Sequence, residues 1–410
     1  MPKGCEEMHF AGIVAEYNPF HNGHVYQVEQ TRKAGATHIV AVMSGNVVQR
    51  GEVACFSKWT RAEAAVRGGV DLVVELPAIY VCSSAERFAT GAVGILSAFG
   101  MPGTLSFGSE CGDLAALQRA ADAVDGVDGT PELRAYLSRG CTFANARAYA
   151  ITDLYGMETA KILEKSNNVL GVEYIRALRR LGSPLEPFTV RRIGSNHDSK
   201  RPLGKYASAS RLREICQKSL VRQAAPFMPR EAYDLYRRDY ATNRAGASVF
   251  EAERVILYHL RTLTAAGIAE LSDVREGLEN RIYKAARQAD SISDLLAGIK
   301  SKRYTESRVR RVVLCAALGI TKELAAMPPA YIRPLAFNER GQELLKQAKK
   351  ARILPICHSF AKLEKAFPAY ARPEYLATEL FRMGLQTPAP ELSEYRDYRS
   401  LCLTSSEKEE

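Results

Sequence analysis

The sequence predicts an α/β fold, in which a Rossmann-like parallel sheet is followed by a mainly α-helical domain. In roughly the first 110 residues, short apolar runs rich in β-branched residues alternate with segments of helical periodicity, as in parallel strands connected by helices. Beyond about residue 230 only helical periodicity remains, for example in Val249, Ala252, Ile256 and Leu260. A chain of 410 residues also exceeds one ordinary core, so more than one domain is expected.

Each predicted strand is a short apolar run, and the predicted helices connect these runs. Nearly continuous apolar stretches occur in FAGIVAEY, HIVAVM and DLVVEL, as expected of strands buried on both faces of a parallel sheet. The connecting segments space their apolar residues three and four apart, which is the helical period. In chain order, the prediction gives strands at 10–17, 38–43, 71–76, 104–107 and 188–193, and helices at 22–34, 59–68, 83–99 and across 114–182.

The change of pattern places a domain boundary near residue 220. We predict an α/β domain over 1–220, a mainly helical domain over 221–400, and a disordered acidic tail over 401–410. Within the second domain, a short piece at 330–335 reads as extended. The tail ends in SSEKEE, a composition that buries too little apolar surface to fold.

Composition and charge narrow the class of protein. Hydrophobic residues make up 46% of the chain and charged residues 25%, as in soluble globular proteins. The sequence contains no long uncharged apolar stretch and no secretory signal. We therefore expect a cytoplasmic protein that neither associates with a membrane nor has an obligate protein partner. The nine cysteines form no CxxC pair or zinc-like cluster, so neither disulfides nor a protein-bound metal is predicted. A net charge of +10 favours a polyanionic partner.

The end of the first strand carries the strongest chemical signal. Residues 19–24 read PFHNGH, and a helix follows at once. In an open parallel sheet, ligands bind beyond the carboxyl ends of the strands, and a helix N-terminus offers free N–H groups to a phosphate. His21 and His24 can both donate to one phosphate group, while Gly23 lets the backbone approach it. We predict that a nucleoside triphosphate binds here; the alternative is that the two histidines only cap the helix.

A strand followed by HxGH resembles the nucleotidylyltransferase superfamily. Its members usually carry a second motif, S-[ST]-x-x-R, late in the nucleotide domain, and SASRLR at 208–213 fits that motif. The match would bring two hydroxyl groups and one cation to the triphosphate, from Ser208, Ser210 and Arg213. A serine at a helix start is often only a cap, which is the alternative. Together the two motifs imply attack on the α-phosphate of ATP, with pyrophosphate leaving and Mg²⁺ accompanying the ATP.

Several longer blocks resemble one family, the tRNA(Met) cytidine acetate ligases. They occur in that family's order over most of 10–340 and read GIVAEYNPFHNGH, AVMSGNVVQRGE, SKWTRAEAA, GVDLVVELP, FGSECGD, SNNVLGVEYIRAL and KRYTESRVRR. The resemblance implies an enzyme that uses ATP to activate acetate as acetyl-adenylate. The acetyl group then passes to N4 of the wobble cytidine, C34, of elongator tRNA(Met), and N4-acetylcytidine forms.

The resemblance also implies the residues that serve this reaction. His21 and His24 would be catalytic, because they would stabilise the pentavalent phosphate and the departing pyrophosphate. We further expect Lys58 and Arg61 of SKWTR to line the acetate or phosphate pocket. By position, the family's ATP contacts correspond to Val14, Ala15, Glu16, Tyr17, Asn18, Pro19, Phe20, His21, Asn22, Gly23, His24, Val25, Tyr26, Gln27, Gly108, Asn167, Arg192 and Ile193.

Three of these positions have an ordinary structural alternative. Gly108, at the end of the fourth strand, would allow close approach to the nucleotide, but it could also be a plain turn glycine. Asn167 could pair with adenine or ribose, or cap a helix. Arg192 could neutralise phosphate, or be a solvated surface arginine.

The segment 300–311 is strongly basic, with six cations and one acid in twelve residues. Cations suit RNA phosphates, and an aromatic ring among them could stack on a base. The alternative for such a run is a solvated helix face. Given the family resemblance, we predict that tRNA binds through Lys302, Arg303, Tyr304, Arg308 and Arg311, of which the last two share a helix face.

Two other functions compete with the ligase. A small-molecule nucleotidylyltransferase of the pantetheine-phosphate or nicotinamide-mononucleotide kind would have the same sheet, but such chains usually end soon after the second motif. A non-catalytic RNA-binding protein with a relict nucleotide fold would not need the intact histidine, serine and arginine set that this chain retains.

Overall fold

The apolar runs of the first half form one sheet, to which the second half adds two more strands. The structure is a computed structural model, and it describes residues 8–193, 204–275, 277–301, 304–351, 353–387, 389–395 and 400–403. Within these ranges the strands are β1 Phe10–Ala15, β2 His38–Ser44, β3 Val47–Val48, β4 Glu52–Val53, β5 Leu72–Leu76, β6 Gly103–Ser109, β7 Leu185–Arg191, β8 Pro334–Phe337 and β9 Leu401–Cys402.

Helices connect these strands and make up most of the second half. They are α1 Asn22–Lys33, α2 Lys58–Arg67, α3 Ala78–Val81, α4 Ala85–Ser97, α5 Leu114–Val127, α6 Pro131–Ser138, α7 Phe143–Tyr155, α8 Met157–Ile162, α9 Ser166–Arg180, α10 Ala209–Gln217, α11 Arg230–Ala241, α12 Glu253–Thr262, α13 Ala265–Ala269, α14 Leu278–Gln288, α15 Ile292–Ile299, α16 Glu306–Leu318, α17 Lys322–Ala326, α18 Glu339–Ala351, α19 Phe360–Ala366 and α20 Pro368–Met383. Short 3₁₀ helices lie at Val221–Phe227 and Pro390–Leu392.

The main sheet has the strand order β7-β6-β1-β2-β5-β8-β9. Its first five strands are parallel, which confirms the α/β fold class and all five predicted strands. β1 ends two residues earlier than predicted, because Tyr17 has φ +47° and leaves the extended conformation. β7 begins three residues earlier, at Leu185. Its Pro187 is tolerated because β7 lies at the sheet edge, where a missing N–H costs no ladder hydrogen bond.

The segment predicted to be extended at 330–335 overlaps strand β8, which begins at Pro334, extends to Phe337 and joins the sheet. It pairs antiparallel with β5, with Phe337 opposite Leu72, and β9 pairs with its other edge. β9 consists of residues 401–402, which we had assigned to the disordered tail; 404–410 lie outside the described residues. The division of the chain near residue 220 stays a prediction, but the sheet itself takes strands from both sides of that point.

Helices cover both faces of the sheet, because alternate side chains of each strand point to opposite faces. On one face, Ile13 and Ile39 pack with apolar residues of α1, α2, α10 and α11. On the other face, Phe10 and Val42 pack with α4, α5 and α9 and with helices of the second half. The second half thus contributes to the cores on both faces of the sheet. Within the part of the chain that the structure describes, no helix combines the length and apolar character needed to cross a membrane.

Candidate active site

The predicted phosphate-binding turn connects β1 to α1, and its two histidines cap that helix. His21 is the N-cap residue, and its Nδ1 accepts a hydrogen bond from the backbone N–H of Gly23 at 3.0 Å. The Nδ1 of His24 accepts from the backbone N–H of His21 at 3.2 Å. Because each Nδ1 accepts, these hydrogen bonds assign the ring proton to Nε2. Both histidines therefore cap the helix, and each ring keeps an Nε2–H donor for a ligand.

Gly23 is required for the position of the His21 ring. A Cβ at residue 23 would lie 2.8 Å from Cε1 and 3.1 Å from Nδ1 of His21. Real Cβ atoms do not approach this closely, so any side chain here would displace the ring and break the cap. The sequence analysis predicted that this glycine lets the backbone approach a ligand. The structure shows that the missing side chain also leaves space for the His21 ring.

Two of the predicted ATP contacts, Phe20 and Asn22, support the turn from behind. The backbone N–H of Phe20 donates to the hydroxyl of Tyr236 in α11 at 2.8 Å. The Nδ2 of Asn22 donates to the carbonyl oxygen of Lys205 at 2.9 Å. Neither residue lines the cavity described below, and the same holds for Pro19 and Val25. Phe20 and Asn22 hold the turn against the chain beyond β7.

The two imidazole rings are neutral in the neutral pH range. They stack with centroids 3.8 Å apart, and burial lowers the pKa of His21 to about 3, with Arg192 and Arg213 adding repulsion. Burial also lowers the pKa of His24 well below its usual value, with the charges of His21 and Arg192 acting in the same direction. A neutral ring with its proton on Nε2 is a hydrogen-bond donor to phosphate that brings no fixed charge.

A cavity of about 620 Å³ lies over the carboxyl ends of β1, β6 and β7. It brings together residues that are far apart in the sequence. Of the predicted ATP and triphosphate residues, those that line it are Val14, Ala15, Glu16, Tyr17, Asn18, His21, Gly23, His24, Tyr26, Gln27, Gly108, Asn167, Arg192, Ile193, Ser208 and Arg213.

Gly108 and Arg192 are neighbours at the ends of β6 and β7. Gly108 lies inside β6, so it is not a turn glycine, and a Cβ there would lie 3.3 Å from Cγ of Arg192. Arg192 lines the cavity and is at the same time exposed to solvent. The surrounding protein lowers the pKa of its guanidinium, and nearby Glu110 opposes that effect. The group stays a cation in the neutral pH range, placed next to the two histidines.

Asn167 is not the cap of its helix, because Glu110 performs that function. The carboxylate of Glu110 accepts from Nδ2 of Asn167 at 2.6 Å and from the backbone N–H of Asn168 at 2.8 Å. In return, Oδ1 of Asn168 accepts from the backbone N–H of Glu110 at 2.9 Å. With one of its two Nδ2–H donors engaged, Asn167 has its amide oxygen and its second N–H left for a ligand in the cavity.

The second motif opens α10, as predicted. Ser208 is its N-cap residue and accepts from the backbone N–H of Arg211 at 3.3 Å. The hydroxyl groups of Ser208 and Ser210 lie 3.2 Å apart, and only Ser208 lines the cavity. Arg213 is 8% exposed and lies close enough to His21 to lower its pKa. Ser208 and Arg213 of this motif therefore reach the cavity. Ser210 does not line the cavity, and its hydroxyl group contacts that of Ser208.

Arg61 does not line the cavity, contrary to our expectation. It is completely buried and donates to the backbone carbonyl oxygens of Glu16, Ser44, Gly45 and Phe56. A guanidinium has five donors in a rigid fork, which suits several carbonyl groups converging at the ends of two strands. Arg61 thus fixes the loop that follows β2 to the end of β1.

Lys58 is also absent from the cavity wall. Its ammonium group is buried between the carboxylates of Glu75, at 2.6 Å, and Glu394. Arg333 contacts the same two carboxylates, at 2.8 and 2.6 Å, so two cations and two anions close a neutral cluster. Sequence reasoning missed this function because Glu394 lies far along the chain from Lys58, and no local pattern connects them.

The predicted tRNA-binding residues have mixed positions. Lys302 and Arg303 lie outside the described residues. Tyr304 is only 6% exposed, which does not suit stacking on an RNA base. Arg308 donates to the carbonyl oxygen of Asp273 at 3.0 Å, and Arg311 lies 3.4 Å from its carboxylate. The two arginines thus share one side of α16, and Arg311 also lines the cavity.

The cavity wall contains residues to which the sequence analysis gave no function. Gln49 and Arg50 come from the turn between β3 and β4, Ser84 and Phe88 from the start of α4, and Ser307 from α16. One feature of the sequence could have identified Gln49 and Arg50. They belong to the block AVMSGNVVQRGE, which follows the second strand at the end of the sheet where ligands bind.

Comparison with known proteins places this site in a family. The HIGH Nucleotidyl Transferase family model matches residues 8–395. The tRNA(Met) cytidine acetate ligase of Caldanaerobacter subterraneus subsp. tengcongensis is 41% identical over 361 residues, which is 87% of this chain and 90% of that one. The enzyme of the same name from Acetivibrio thermocellus is 36% identical over 402 residues, covering 93% and 96% of the two chains.

A solved structure agrees with the sequence relatives. The crystal structure of Thermotoga maritima TmcAL bound with alpha-thio ATP superposes with a TM-score of 0.88 at 32% identity, covering 97% of this chain and all of that one. The apo form of the same protein gives a TM-score of 0.89. Fold, motifs and length of match therefore agree, and this chain belongs to the tRNA(Met) cytidine acetate ligase family of HIGH nucleotidyl transferases.

Proposed function

We propose that this enzyme forms acetyl-adenylate from acetate and ATP and transfers the acetyl group to N4 of C34 in elongator tRNA(Met). In the first step a carboxylate oxygen of acetate attacks the α-phosphorus, and pyrophosphate leaves. In the second step the N4 amine attacks the acyl carbon, AMP leaves with the bonding electron pair, and N4 loses a proton. Mg²⁺ enters with ATP as part of the substrate. Because the proposed acceptor is a tRNA, we propose a cytoplasmic location for the reaction.

One observation carries the proposal most directly. Two neutral histidines at the N-terminus of α1 expose Nε2–H donors in the same cavity as the cations Arg192 and Arg213. Donors fixed in place before the reaction stabilise the charge that develops on the α-phosphate and on departing pyrophosphate without reorganising. The helix N-terminus adds backbone N–H groups to this set.

The cavity also has room for the rest of the nucleotide. We infer that the triphosphate lies over the start of α1 and reaches Arg213 and Ser208. The adenosine then lies beside Gly108, Asn167 and Ile193 at the ends of β6 and β7. The solved relative with an ATP analogue, which shares this fold over its whole length, supports an ATP site in this chain.

The two-step route follows from the reactivity of the two substrates. The N4 amine of cytidine is a weak nucleophile, because its lone pair is delocalised into the ring. Free acetate is a poor acyl donor, because its leaving group would be oxide. A mixed anhydride with AMP supplies a good leaving group, and α-phosphate chemistry is what the histidine pair is arranged to perform. A small-molecule nucleotidylyltransferase accounts less well for a family match that continues to residue 395.

The test uses the purified full chain with labelled acetate, ATP·Mg²⁺ and an elongator tRNA(Met) transcript. We expect acetate-dependent exchange of label between pyrophosphate and ATP, and label in N4-acetylcytidine at position 34 after nuclease digestion. A transcript in which uridine replaces C34 is the control and should accept no label. Exchange without transfer to any RNA would overturn the proposed acceptor, and the absence of acetate-dependent exchange would overturn acetyl-adenylate formation.

A further inference from the structure

The cavity has a second wall, formed by elements other than those that carry the predicted nucleotide contacts. The nucleotide contacts come from β1, α1, β6, α9 and β7. The second wall comes from the turn between β3 and β4, with Gln49 and Arg50, and from α16, with Ser307 and Arg311. Helix α16 belongs to the half of the chain that we predicted to bind tRNA, so this cavity joins the two halves at one place.

The turn is held in position at its first residue by the nucleotide side of the cavity. The carboxylate of Glu16, just after β1, accepts a hydrogen bond from the backbone N–H of Gln49 at 2.8 Å. Glu16 itself lines the cavity. The orientation of the turn therefore depends on the same strand end that presents the two histidines.

Helix α16 packs directly on the other side of this turn. Gly51 has φ +77°, and a Cβ there would lie 2.5 Å from Cβ of Arg310 and 2.6 Å from the backbone nitrogen of Arg311. Arg310 adds ion pairs to Glu52 at 3.0 Å and to Glu306 at 2.7 Å. Arg50 is thereby fixed between the end of β1 and α16.

Arg311 differs from the other two arginines of α16. Arg308 donates from two nitrogens to the carbonyl oxygen of Asp273, and Arg310 bridges two carboxylates. Arg311 has a longer contact, 3.4 Å to the carboxylate of Asp273. Its Nε is buried and makes no hydrogen bond within the described part of the chain. Of the three arginines, Arg311 is the one that lines the cavity, and its 3.4 Å contact holds its guanidinium less tightly than the shorter contacts of Arg308 and Arg310.

We propose that this second wall, formed by Gln49, Arg50, Ser307 and Arg311, is the subsite for the RNA acceptor. The inference rests on the proposed function and adds the direction from which the acceptor arrives. With the nucleotide over β1, β6 and β7, an acceptor reaches the acyl group from the remaining side, between the turn and α16. The cytidine is extruded from its stack into the cavity. Arg50 and Arg311 contact the phosphates that flank it, because guanidinium groups bind phosphate oxygens in pairs.

The test separates acceptor binding from acetate activation. Arg311→Gln is assayed for acetate-dependent exchange between pyrophosphate and ATP, for acetyl transfer to tRNA, and for tRNA affinity at several salt concentrations. We expect transfer to fall at least tenfold relative to exchange, mainly through a higher KM for tRNA. The slope of log affinity against log salt should decrease by about one, because one phosphate contact is lost.

Arg254→Gln is the matched control, since it removes the same charge from α12 in the second half of the chain, where Arg254 is exposed and does not line the cavity. Its ratio of transfer to exchange and its salt slope should equal those of the unaltered protein. If Arg311→Gln behaves like this control, the proposed subsite is wrong even when the unaltered protein acetylates tRNA. If the unaltered protein shows exchange but acetylates no RNA, the proposed function fails first.

Arg50→Gln provides a second variant on the opposite side of the subsite. It should raise the KM for tRNA as Arg311→Gln does, and the effect of the double variant should exceed that of either single one. A variant that binds tRNA normally but loses exchange would place Arg50 with the triphosphate instead, and would contradict the subsite.

Discussion

At the scale of single residues, each histidine of the pair both caps α1 and offers a donor to the cavity. The Nδ1 of His21 satisfies a backbone N–H at the start of α1, and this bond fixes the tautomer that offers Nε2–H to the cavity. His24 repeats the arrangement with the backbone N–H of His21. Replacing either histidine therefore removes a helix cap together with a donor, and experiments have to separate the two losses.

The depressed pKa of His21 predicts a pH dependence of stability. Its folded pKa of about 3 lies below the unfolded value of about 6.5, so the unfolded chain binds the extra proton as pH falls through this window. Stability is thus full above pH 6.5 and decreases below it, by about 2 kcal/mol at pH 5 for this one residue. In His21→Gln, which cannot be protonated, urea unfolding should lose about 2 kcal/mol less between pH 7.5 and 5. Equal losses in both proteins would show that His21 titrates normally.

The donor function of His24 predicts a selective loss of the first chemical step. His24→Ala should lower acetate-dependent exchange between pyrophosphate and ATP by about 10²- to 10³-fold, the usual effect of removing one fixed donor to a developing charge. Binding of tRNA should stay within about twofold, because the acceptor wall is unchanged. His259→Ala, at the end of α12 and away from the cavity, is the control. Equal losses of exchange and tRNA binding would contradict this division of labour.

At the scale of elements, local pattern predicted what depends on near neighbours. The five parallel strands, the turn with His21 and His24, and the helix start at Ser208 were all predictable, because each is set by residues close in sequence. The position of Arg311 in the nucleotide cavity was not, because it depends on α16 packing against a turn some 260 residues earlier. The interior positions of Lys58 and Arg61 were missed for the same reason, since charge alone suggested a ligand.

The contact between α16 and the β3–β4 turn gives an element-scale prediction. Gly51→Ala should destabilise the protein by about 1 to 3 kcal/mol more than Gly35→Ala, measured by urea unfolding. Both glycines have positive φ, so both substitutions strain the backbone in the same way. Only residue 51 would meet α16, whereas a Cβ at residue 35 has no atom within 4 Å. Transfer to tRNA should also fall in Gly51→Ala, and similar stabilities would mean that α16 is not packed there.

At the scale of the whole molecule, a buried charge cluster holds distant parts of the chain together. Lys58 begins α2, Glu75 lies in β5, Arg333 precedes β8, and Glu394 follows α20. Each side chain is at most 2% exposed. No one of these charges could be buried alone, so the cluster forms only when the C-terminal part has returned to the sheet.

The C-terminal member of this cluster gives the sharpest prediction for the molecule as a whole. Burial alone would raise the pKa of Glu394, but Arg333 and Lys58 outweigh it and lower the pKa to about 2. The carboxylate therefore stays charged, and its stabilisation is present above the unfolded pKa and lost only as pH falls toward 2. Glu394→Gln leaves two buried cations with one carboxylate, and should cost about 3 to 5 kcal/mol in urea unfolding at pH 7.

The exposed pair of Glu391 and Arg244 provides the control for this prediction. Its side chains are each 36% exposed, and solvent screens such pairs, so Glu391→Gln should cost less than about 1 kcal/mol. Because Glu394 lies outside the cavity, its variant should keep the unaltered ratio of transfer to exchange at temperatures where it remains folded. A cost no larger than that of Glu391→Gln would mean that the C-terminal part is not fastened to the sheet through these charges.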